Sequence, residues 1–298
     1  TAQRFNNAFF VQTVPGSEDA NPATSEGIMV FTGSAPPASA AVGNRVIVSG
    51  TVEEYRSSSN PHQGFITEII NPTVSVVSSG NALPAPVEIT AAMMDPSLPP
   101  ESLEYLEGMR VSVGRLVATA PTEGSLDEND ALAFPNGNFW GVVEGIERPF
   151  REPGVGVQDV GPALPANTPR FDTNPERLRI QSRGQVGASP IVLDTGALVT
   201  GLVGVLDYGF GTYILMPDPT APIVVEGGAG PRAVPDPAID EFTIAGANML
   251  RFYDEVNDPG GDVALTPVAF ERRLAKAALA ICDYMKAPEI IGVVEVEN

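Results

Sequence analysis

Residues 242–250 read FTIAGANML, residues 289–298 read EIIGVVEVEN, and a helical segment lies between them. Thr266 suits the N-cap of that helix and Pro267 suits its first position. From Phe270 onward, apolar residues recur three and four positions apart, which predicts an amphipathic helix. EIIGVV is a continuous apolar run, typical of a strand buried in the middle of a sheet. A strand, a helix and a strand of these lengths predict the opening of a layered α/β domain.

The chain before this segment has a different pattern, with short apolar runs separated by proline and glycine. Its 298 residues include 29 Pro and 30 Gly, a composition that favours many short strands and turns. Val46, Val48 and Val52 share one parity, the period of a half-buried strand. Gly50 interrupts that run and suggests a bulge or bend of the kind that small barrels use at their corners. The sequence also predicts a strand broken at Asn71-Pro72, a loop at Asp127–Asp130 and a hairpin around Gly209 and Gly211. We therefore predict a mainly β chain with two OB-like β-barrel domains before the α/β opening.

Composition sets the expected domain boundaries. Residues 1–85 form a first OB-like domain, whose N-terminal strand is missing, and residues 101–220 form a second. Residues 86–100 and 221–237 are linkers rich in proline. Residues 238–298 begin the α/β domain. Because the chain starts at a Thr close to a strand, we expect a processed protein or a piece of a longer one.

The formal charge is −20, from 37 acidic and 17 basic residues. Such a surface keeps a protein soluble and repels polyanions, unless a basic groove or a bound cation overrides the general field. No apolar run approaches the roughly 18 residues of a membrane span. Cys282 is the only cysteine, so no disulfide framework exists, and we expect it in the core on the apolar side of the helix.

Two clusters of polar residues in the β region are candidate sites. Arg177, Arg179 and Arg183 form the densest basic group, which suits either contact with nucleic acid or ion pairing with the acidic surface. Trp140, on a nearby strand, is expected to anchor the core. A turn-rich loop near the N-terminus offers oxygen ligands for Ca²⁺, although a solvated hairpin tip explains the same composition. The possible calcium ligands are Glu18, Asp19, Asn21 and Glu26.

Glu295 follows the last apolar strand, with Glu297 and Asn298 after it. A carboxylate at the end of a buried strand is held rigidly and opens toward a cleft, where it can bind Mg²⁺ or Mn²⁺. A metal ion placed there can neutralise charge on a phosphodiester.

The chain resembles secreted bacterial nucleases of the endonuclease/exonuclease/phosphatase superfamily, the class with a DNase I-like catalytic fold. In its extracellular members, OB-like domains precede the catalytic domain. The resemblance runs in order through FFVQT, TSEGIMVF, VGNRVIVSGTVEEY, TEI, LEYLEGMRVSV, LVTGLVGVLDYGFGTYILMP, GANMLRFY, ERRLAK and IIGVVEVEN.

This resemblance implies an extracellular, metal-dependent nuclease that hydrolyses the phosphodiester bonds of nucleic acid. Asn248 matches the active-site Asn and Glu295 matches the metal-binding Glu, with Mg²⁺ or Mn²⁺ as the cofactor. The OB-like domains would bind or orient the substrate, and residues 238–298 would open a DNase I-like sandwich. The family's later histidines and aspartates have no counterpart here, and the one histidine is His62. We therefore expect these residues alone to be inactive.

A second interpretation is a non-catalytic structural protein of the cell surface, built from OB-like units. A first barrel that lacks a strand would leave an open edge, which a neighbouring chain can fill by strand addition. That interpretation predicts a homo-oligomer or filament.

Overall fold

The computed structural model describes residues 2–4, 7–19, 21–158, 164–256 and 264–296. Within these ranges the chain is mainly β, as the sequence predicts. Of the helices in these ranges, none has the length and apolar character needed to cross a bilayer.

The strands of the described residues are numbered in chain order. They are β1 (Ala2–Arg4), β2 (Ala8–Gln12), β3 (Gly27–Phe31), β4 (Arg45–Tyr55), β5 (Ile66–Ser78), β6 (Val87–Glu88), β7 (Arg110–Ala118), β8 (Gly124–Asp127), β9 (Leu132–Pro135), β10 (Asn138–Val143), β11 (Val155–Gly156), β12 (Arg170–Phe171), β13 (Leu178–Gln181), β14 (Ala197–Gly209), β15 (Thr212–Pro217), β16 (Val224–Gly227), β17 (Ile244–Phe252) and β18 (Ile290–Val296). Helix α1 (Pro267–Leu279) continues into a π-helical turn, and short 3-10 turns occur at Ala38–Ala40, Ala91–Met94 and Glu104–Leu106.

The chain divides into two compact units that do not follow the order of the sequence. The first unit contains residues 1–123 and 136–228. The second contains residues 229–298 together with residues 124–135, which form the hairpin β8–β9. The sequence predicted a loop around residues 127–130 and missed this hairpin, because its strands are only four residues long.

A closed five-stranded barrel forms the centre of the first unit. The ring runs β7–β10–β13–β15–β14 and closes by pairing β14 with β7. All these pairs are antiparallel except β13–β15, which is parallel. β16 adds to β14 at residues 224–227, within a segment that the sequence predicted to be a linker. The predicted hairpin around Gly209 and Gly211 is confirmed, as β14–β15.

Alternating apolar side chains fill the barrel. Leu116, Phe139, Ile180 and Leu206 are all fully buried. Strand β14 bends so that it pairs with β7 along one part and with β15 along the other. At Gly204, where the two pairings overlap, a Cβ atom would lie 2.1 Å from the Met216 carbonyl oxygen, so only glycine allows this close approach.

The N-terminal residues form a second sheet in the order β1–β2–β3–β5–β4. As in the barrel, the third and fifth strands are parallel. In the described residues β1 and β4 do not pair, so the sheet is open and the prediction of a closed barrel here is wrong. β1 supplies the N-terminal strand that the sequence analysis expected to be missing, although it is only three residues long.

Strands β2 and β3 are buried on both faces. Phe10 and Met29 pack with Ile214 on the outside of the barrel, while Phe9 and Val30 form a small core on the opposite face. Burial on both faces agrees with the sequence of β2 and β3, in which apolar residues are continuous rather than alternating. The open sheet is therefore fixed to the barrel through its middle strands.

β5 runs without interruption through Asn71-Pro72, where the sequence analysis predicted a break. Asn71 takes a positive φ of 51°, and the β4–β5 register skips residues 71 and 72 of β5. A second skip occurs at Val77. Both bulges therefore place their extra residue on β5, and the first lies opposite Gly50 of β4, where the sequence predicted a bulge or bend.

The second unit contains a parallel strand–helix–strand, β17–α1–β18. Helix α1 begins as predicted, because the Ala269 amide donates to the Thr266 hydroxyl at 3.1 Å. The Phe270 ring packs against Phe252 of β17, with 5.7 Å between the ring centroids.

Two predictions for this unit are wrong. The apolar strand β18 is exposed rather than buried, with Val294 at 58 % exposure, because it pairs with β17 in a sheet of only two strands. Cys282 is also exposed rather than in the core. It lies in the π-helical turn after α1, where the helical periodicity used for the prediction no longer holds.

Candidate functional site

The two residues predicted to be catalytic lie together where the regular pairing of β17 with β18 ends, Asn248 in the middle of β17 and Glu295 near the end of β18. Asn248 is opposite Val294 in the parallel register, which places Glu295 beside it. The Asn248 Nδ2 atom donates to Glu295 Oε1 at 2.8 Å, and Asn248 Oδ1 accepts from the Leu250 amide at 2.8 Å. The Leu250 amide therefore orients the Asn248 side chain, whose nitrogen in turn holds the Glu295 carboxylate.

A cleft of about 230 Å³ borders this pair and is called here the helix cleft. Asn248 lines it, whereas Glu295 is exposed and lies outside the lining. Three cationic side chains of α1, from Arg272, Arg273 and Lys276, line the same cleft. In a chain with net charge −20, such a concentration of positive charge favours an anionic ligand.

Two of these cations also anchor the hairpin β8–β9. Arg273 is 8 % exposed, pairs with Glu128 and donates to the Leu250 carbonyl. Arg272 donates to the Asp130 carbonyl at 2.6 Å and lies 3.6 Å from its carboxylate. Lys276 is exposed and has the most freedom to meet a ligand. Sequence reasoning missed this role, although the motif ERRLAK carries all three charges on consecutive turns of the helix.

The residues of the predicted calcium site lie on one loop. The Glu26 carboxylate accepts from the Asp19 amide at 2.8 Å, and Asp19 in turn accepts from the Asn21 amide at 2.7 Å. Glu18 accepts from the Gly16 amide at 2.7 Å. Among the described residues, no group of three or more Asp, Glu, His or Cys side chains is arranged to hold a metal ion. These oxygens act mainly as loop caps, and calcium binding here stays a prediction.

Aromatic and arginine side chains meet on the outside of the barrel. Trp140 was predicted to anchor the core, but it is only half-buried. Its neighbour Phe139 is fully buried and takes that core position instead. The guanidinium of Arg177 lies 4.7 Å from the Trp140 ring centroid, and that of Arg179 lies 5.8 Å away. Cation–π contact of this kind holds the guanidinium planes beside the ring. Arg183, the third predicted contact, is exposed and makes no contact with this ring among the described residues.

Phe210 completes this surface at the tip of the β14–β15 hairpin. It has a positive φ of 54°, is 75 % exposed and lies 5.7 Å from the Arg179 guanidinium. Phe210, Trp140 and Arg177 line a small cleft of about 100 Å³, called here the barrel cleft. Arg179 also pairs with Glu123 at 3.4 Å, as the ion-pairing interpretation predicts, and contact with nucleic acid stays a prediction.

A buried acidic group lies at the start of β7. Glu107 is 7 % exposed, and burial raises the pKa of its carboxyl to about 9, helped by Glu104 and Asp207 nearby. Burial also raises the pKa of Glu104, which accepts from the Tyr213 hydroxyl at 3.3 Å. Glu107 is therefore neutral at physiological pH.

Comparison with known proteins gives a domain and little more. A domain of unknown function, DUF8508, matches residues 100–226, which contain the closed barrel. No curated protein matches the sequence. Among solved structures, "Structure of murine DNA binding protein bound with ds DNA" aligns at 10% identity and a TM-score of 0.25, covering 75% of this chain and 95% of that one. Similarity at that level identifies neither a shared fold nor a ligand.

Proposed function

We propose that this chain is part of a secreted, metal-dependent nuclease and carries the first elements of its catalytic site. The observation that supports this most directly is the 2.8 Å hydrogen bond between Asn248 and Glu295. These residues stand 47 positions apart in the chain and match two active-site positions of the resembled superfamily.

In this proposal Glu295 binds Mg²⁺ or Mn²⁺ and Asn248 is its positioning residue. An amide that donates to one carboxylate oxygen fixes the orientation of the group and leaves it free to use the other. A divalent cation held there would supply electrostatic stabilisation of the phosphodiester. Lys276, on the wall of the adjoining helix cleft, would contact a neighbouring phosphate.

The proposed folds of both units agree with this assignment. Numbered along the chain, the barrel strands form a ring in the order first, second, third, fifth, fourth, from which we infer an OB fold. The β17–α1–β18 segment has the strand–helix–strand order expected for the opening of a DNase I-like sandwich.

The barrel would bind the substrate strand. OB folds bind oligonucleotides on the face formed by their second and third strands, next to the loop between the fourth and fifth. Here those positions hold Trp140, Arg179 and Phe210, respectively. Aromatic rings stack on bases and arginines contact phosphates, so we infer that this surface binds nucleic acid.

Paramagnetic Mn²⁺ tests the metal site directly. Titrated into isotope-labelled protein, it should broaden the amide signals around residues 247–249 and 294–296 first. Glu295→Gln removes the charged ligand and should abolish this selective broadening. Glu271→Gln is the matched control, because it removes the same charge from an exposed position of α1 and should leave the broadening unchanged. Broadening that survives Glu295→Gln would refute the assignment.

A specific observation also favours the alternative of self-assembly. β4 forms a free edge of the open sheet. Antiparallel pairing of two copies about Ser49 would place Arg45 of each copy opposite Glu53 of the other, and Val46 opposite Val52. Cross-strand pairs of this type stabilise sheets. Sedimentation equilibrium tests this, since Val48→Pro would block the edge and convert a dimer to a monomer, whereas a wild-type monomer at all concentrations excludes it.

A further inference from the structure

A second and larger cleft lies beside the barrel in the first unit. It has a volume of about 790 Å³, lies between the open sheet and the β14–β15 hairpin, and is called here the sheet cleft. Its lining includes Tyr55, Arg56 and Gln63 from the β4–β5 connection, and Tyr208 and Phe210 from the barrel.

Arg56 lines the sheet cleft and forms an arginine–aromatic pair with Phe65, which lies outside the lining but follows the lining residue Gly64. The Arg56 guanidinium lies 4.3 Å from the centroid of the Phe65 ring, which is 42 % exposed. The loop that bears both residues is fixed to the barrel, because the Gly64 amide donates to the Tyr208 hydroxyl at 3.1 Å. The pair is therefore held in place beside the barrel rather than carried on a free loop.

Phe210 links the two clefts. It belongs to the lining of both the barrel cleft and the sheet cleft. The tip that carries it is held from the side by Gln158, whose amide donates to the Gly211 carbonyl at 2.7 Å. The Phe210 ring is 75 % exposed, and contact between a large apolar ring and water is unfavourable. Its φ of 54° adds backbone strain. This combination is often found where a ligand binds.

We propose that a single strand of nucleic acid runs from the barrel cleft, past Phe210, into the sheet cleft, where Arg56 binds phosphate and the adjoining Phe65 ring provides an additional base-stacking surface. This rests on the proposed function. Three aromatic faces, each beside a guanidinium, provide the alternation of stacking platform and positive charge that unpaired strands need. In a duplex the base faces are stacked on one another, so a duplex cannot stack its bases on these three aromatic rings.

Two carboxylates oppose this path. The exposed Glu53 and the buried Glu68 both line the sheet cleft and repel phosphate. Removing the charge of Glu53 should therefore tighten binding, an effect that a misfolded variant cannot imitate. Because the attraction is partly electrostatic, binding should weaken as salt is added.

The fluorescence of Trp140 measures both parts of the path, since it is the only tryptophan in the chain. Oligothymidylates of about 4 and about 12 nucleotides, which span the site sizes of OB folds, are titrated at fixed salt. Both should quench Trp140, and the longer one should bind more tightly. Arg56→Ala and Phe65→Ala should each weaken the longer oligomer by roughly tenfold and leave the shorter one unchanged.

Two further variants complete the design. Arg151→Ala is the matched control, because Arg151 lies the same 4.3 Å from the Phe171 ring but lines neither cleft, and it should have no effect. Glu53→Gln should tighten the longer oligomer by about twofold. Absence of quenching with every oligomer would overturn the nucleic-acid function of the barrel itself. Quenching without dependence on length, or with unchanged affinity in Arg56→Ala and Phe65→Ala, would overturn only the path through the sheet cleft.

Discussion

The barrel and the open sheet place five strands in the same order, yet only one of them closes. In the barrel, the fourth strand is β14, which pairs with both β7 and β15 along its length. In the open sheet, the fourth strand is β4, which pairs with β5 alone. Strand order therefore does not determine closure. Closure depends on whether the fourth strand can bend across to the first.

Glycine accounts for part of that difference. Gly201 of β14 has a positive φ of 73°, and Gly204 lies against the backbone of β15, so β14 can turn between two partners. In the open sheet the extra residues of both bulges lie on β5, one of them opposite Gly50 of β4, and β4 pairs with β5 alone. The result is a fully buried interior in one sheet and exposed apolar side chains in the other, with Ile47 at 59 % and Val52 at 63 % exposure.

The largest contrast should appear when one apolar residue is truncated in each sheet. Leu206 in the barrel is fully buried, so Leu206→Ala should lower the free energy of unfolding by about 2–5 kcal/mol. Val52→Ala, on the exposed fourth strand of the open sheet, should change it by less than about 0.5 kcal/mol. Urea denaturation measures both. Equal losses would mean that β4 is covered in solution, as self-assembly predicts.

A loss of similar size is expected where the open sheet crosses the barrel. Gly108 has a φ of 76°, and a Cβ atom there would lie 2.7 Å from the Ile28 amide nitrogen. Gly108→Ala combines a left-handed penalty of about 1–2 kcal/mol with a clash of about 1–3 kcal/mol. Gly80→Ala isolates the first contribution, because Gly80 has a φ of 69° and open space around it. If both variants lose the same stability, the two sheets are not in tight contact at this point.

The buried Glu107 should make the stability of the first unit depend on pH. Its folded-state pKa of about 9 lies above the ordinary value of 4.5, so the folded protein holds the proton more tightly than the unfolded chain. Stability is therefore full below about pH 4.5 and falls as pH rises toward 9, by up to about 1.4 kcal/mol per pH unit. Glu107→Gln should remove this slope and be the more stable form at about pH 8. Glu226→Gln, an exposed change on β16, should keep the wild-type slope.

The smallest effect concerns local opening rather than global stability. Amides of β14 that pair on both sides should exchange with solvent only on global unfolding, whereas amides of β4 can exchange by local opening at the free edge. We expect exchange from β4 to be faster by at least about tenfold, measured by native-state hydrogen exchange. Equal protection would show that the edge is paired.

The sequence predicts the elements of this protein better than it predicts how they combine. Alternation in β4 and the glycines of the β14–β15 hairpin identify those strands, and Thr266 with Pro267 identifies the start of α1. A barrel was predicted for both β domains and only one of them closes, since closure depends on contacts between β14 and β7, which lie about eighty residues apart in the chain. The burial of β18 was misjudged for the same reason, because an apolar run does not reveal how many strands its sheet contains.

For the candidate site, too, the sequence identified individual residues better than it predicted their arrangement. Asn248 and Glu295 were found through resemblance, and their contact in space follows from the parallel register of β17 and β18. Phe210 was noticed only as part of a hairpin, because neither its exposure nor its positive φ can be read from sequence. Trp140 was assigned to the core, whereas its neighbour Phe139 holds that position, a one-residue error that moves a side chain to the other face of a strand.

The hairpin at residues 124–135 has a consequence for biosynthesis. It leaves the ribosome early, but the helix residues that hold it, Arg272 and Arg273, are made only after the whole barrel has been translated. Until then the hairpin lacks the ion pairs that Glu128 and Asp130 form with these arginines. A chain that ended at residue 228 would therefore carry the hairpin without the helix that holds it.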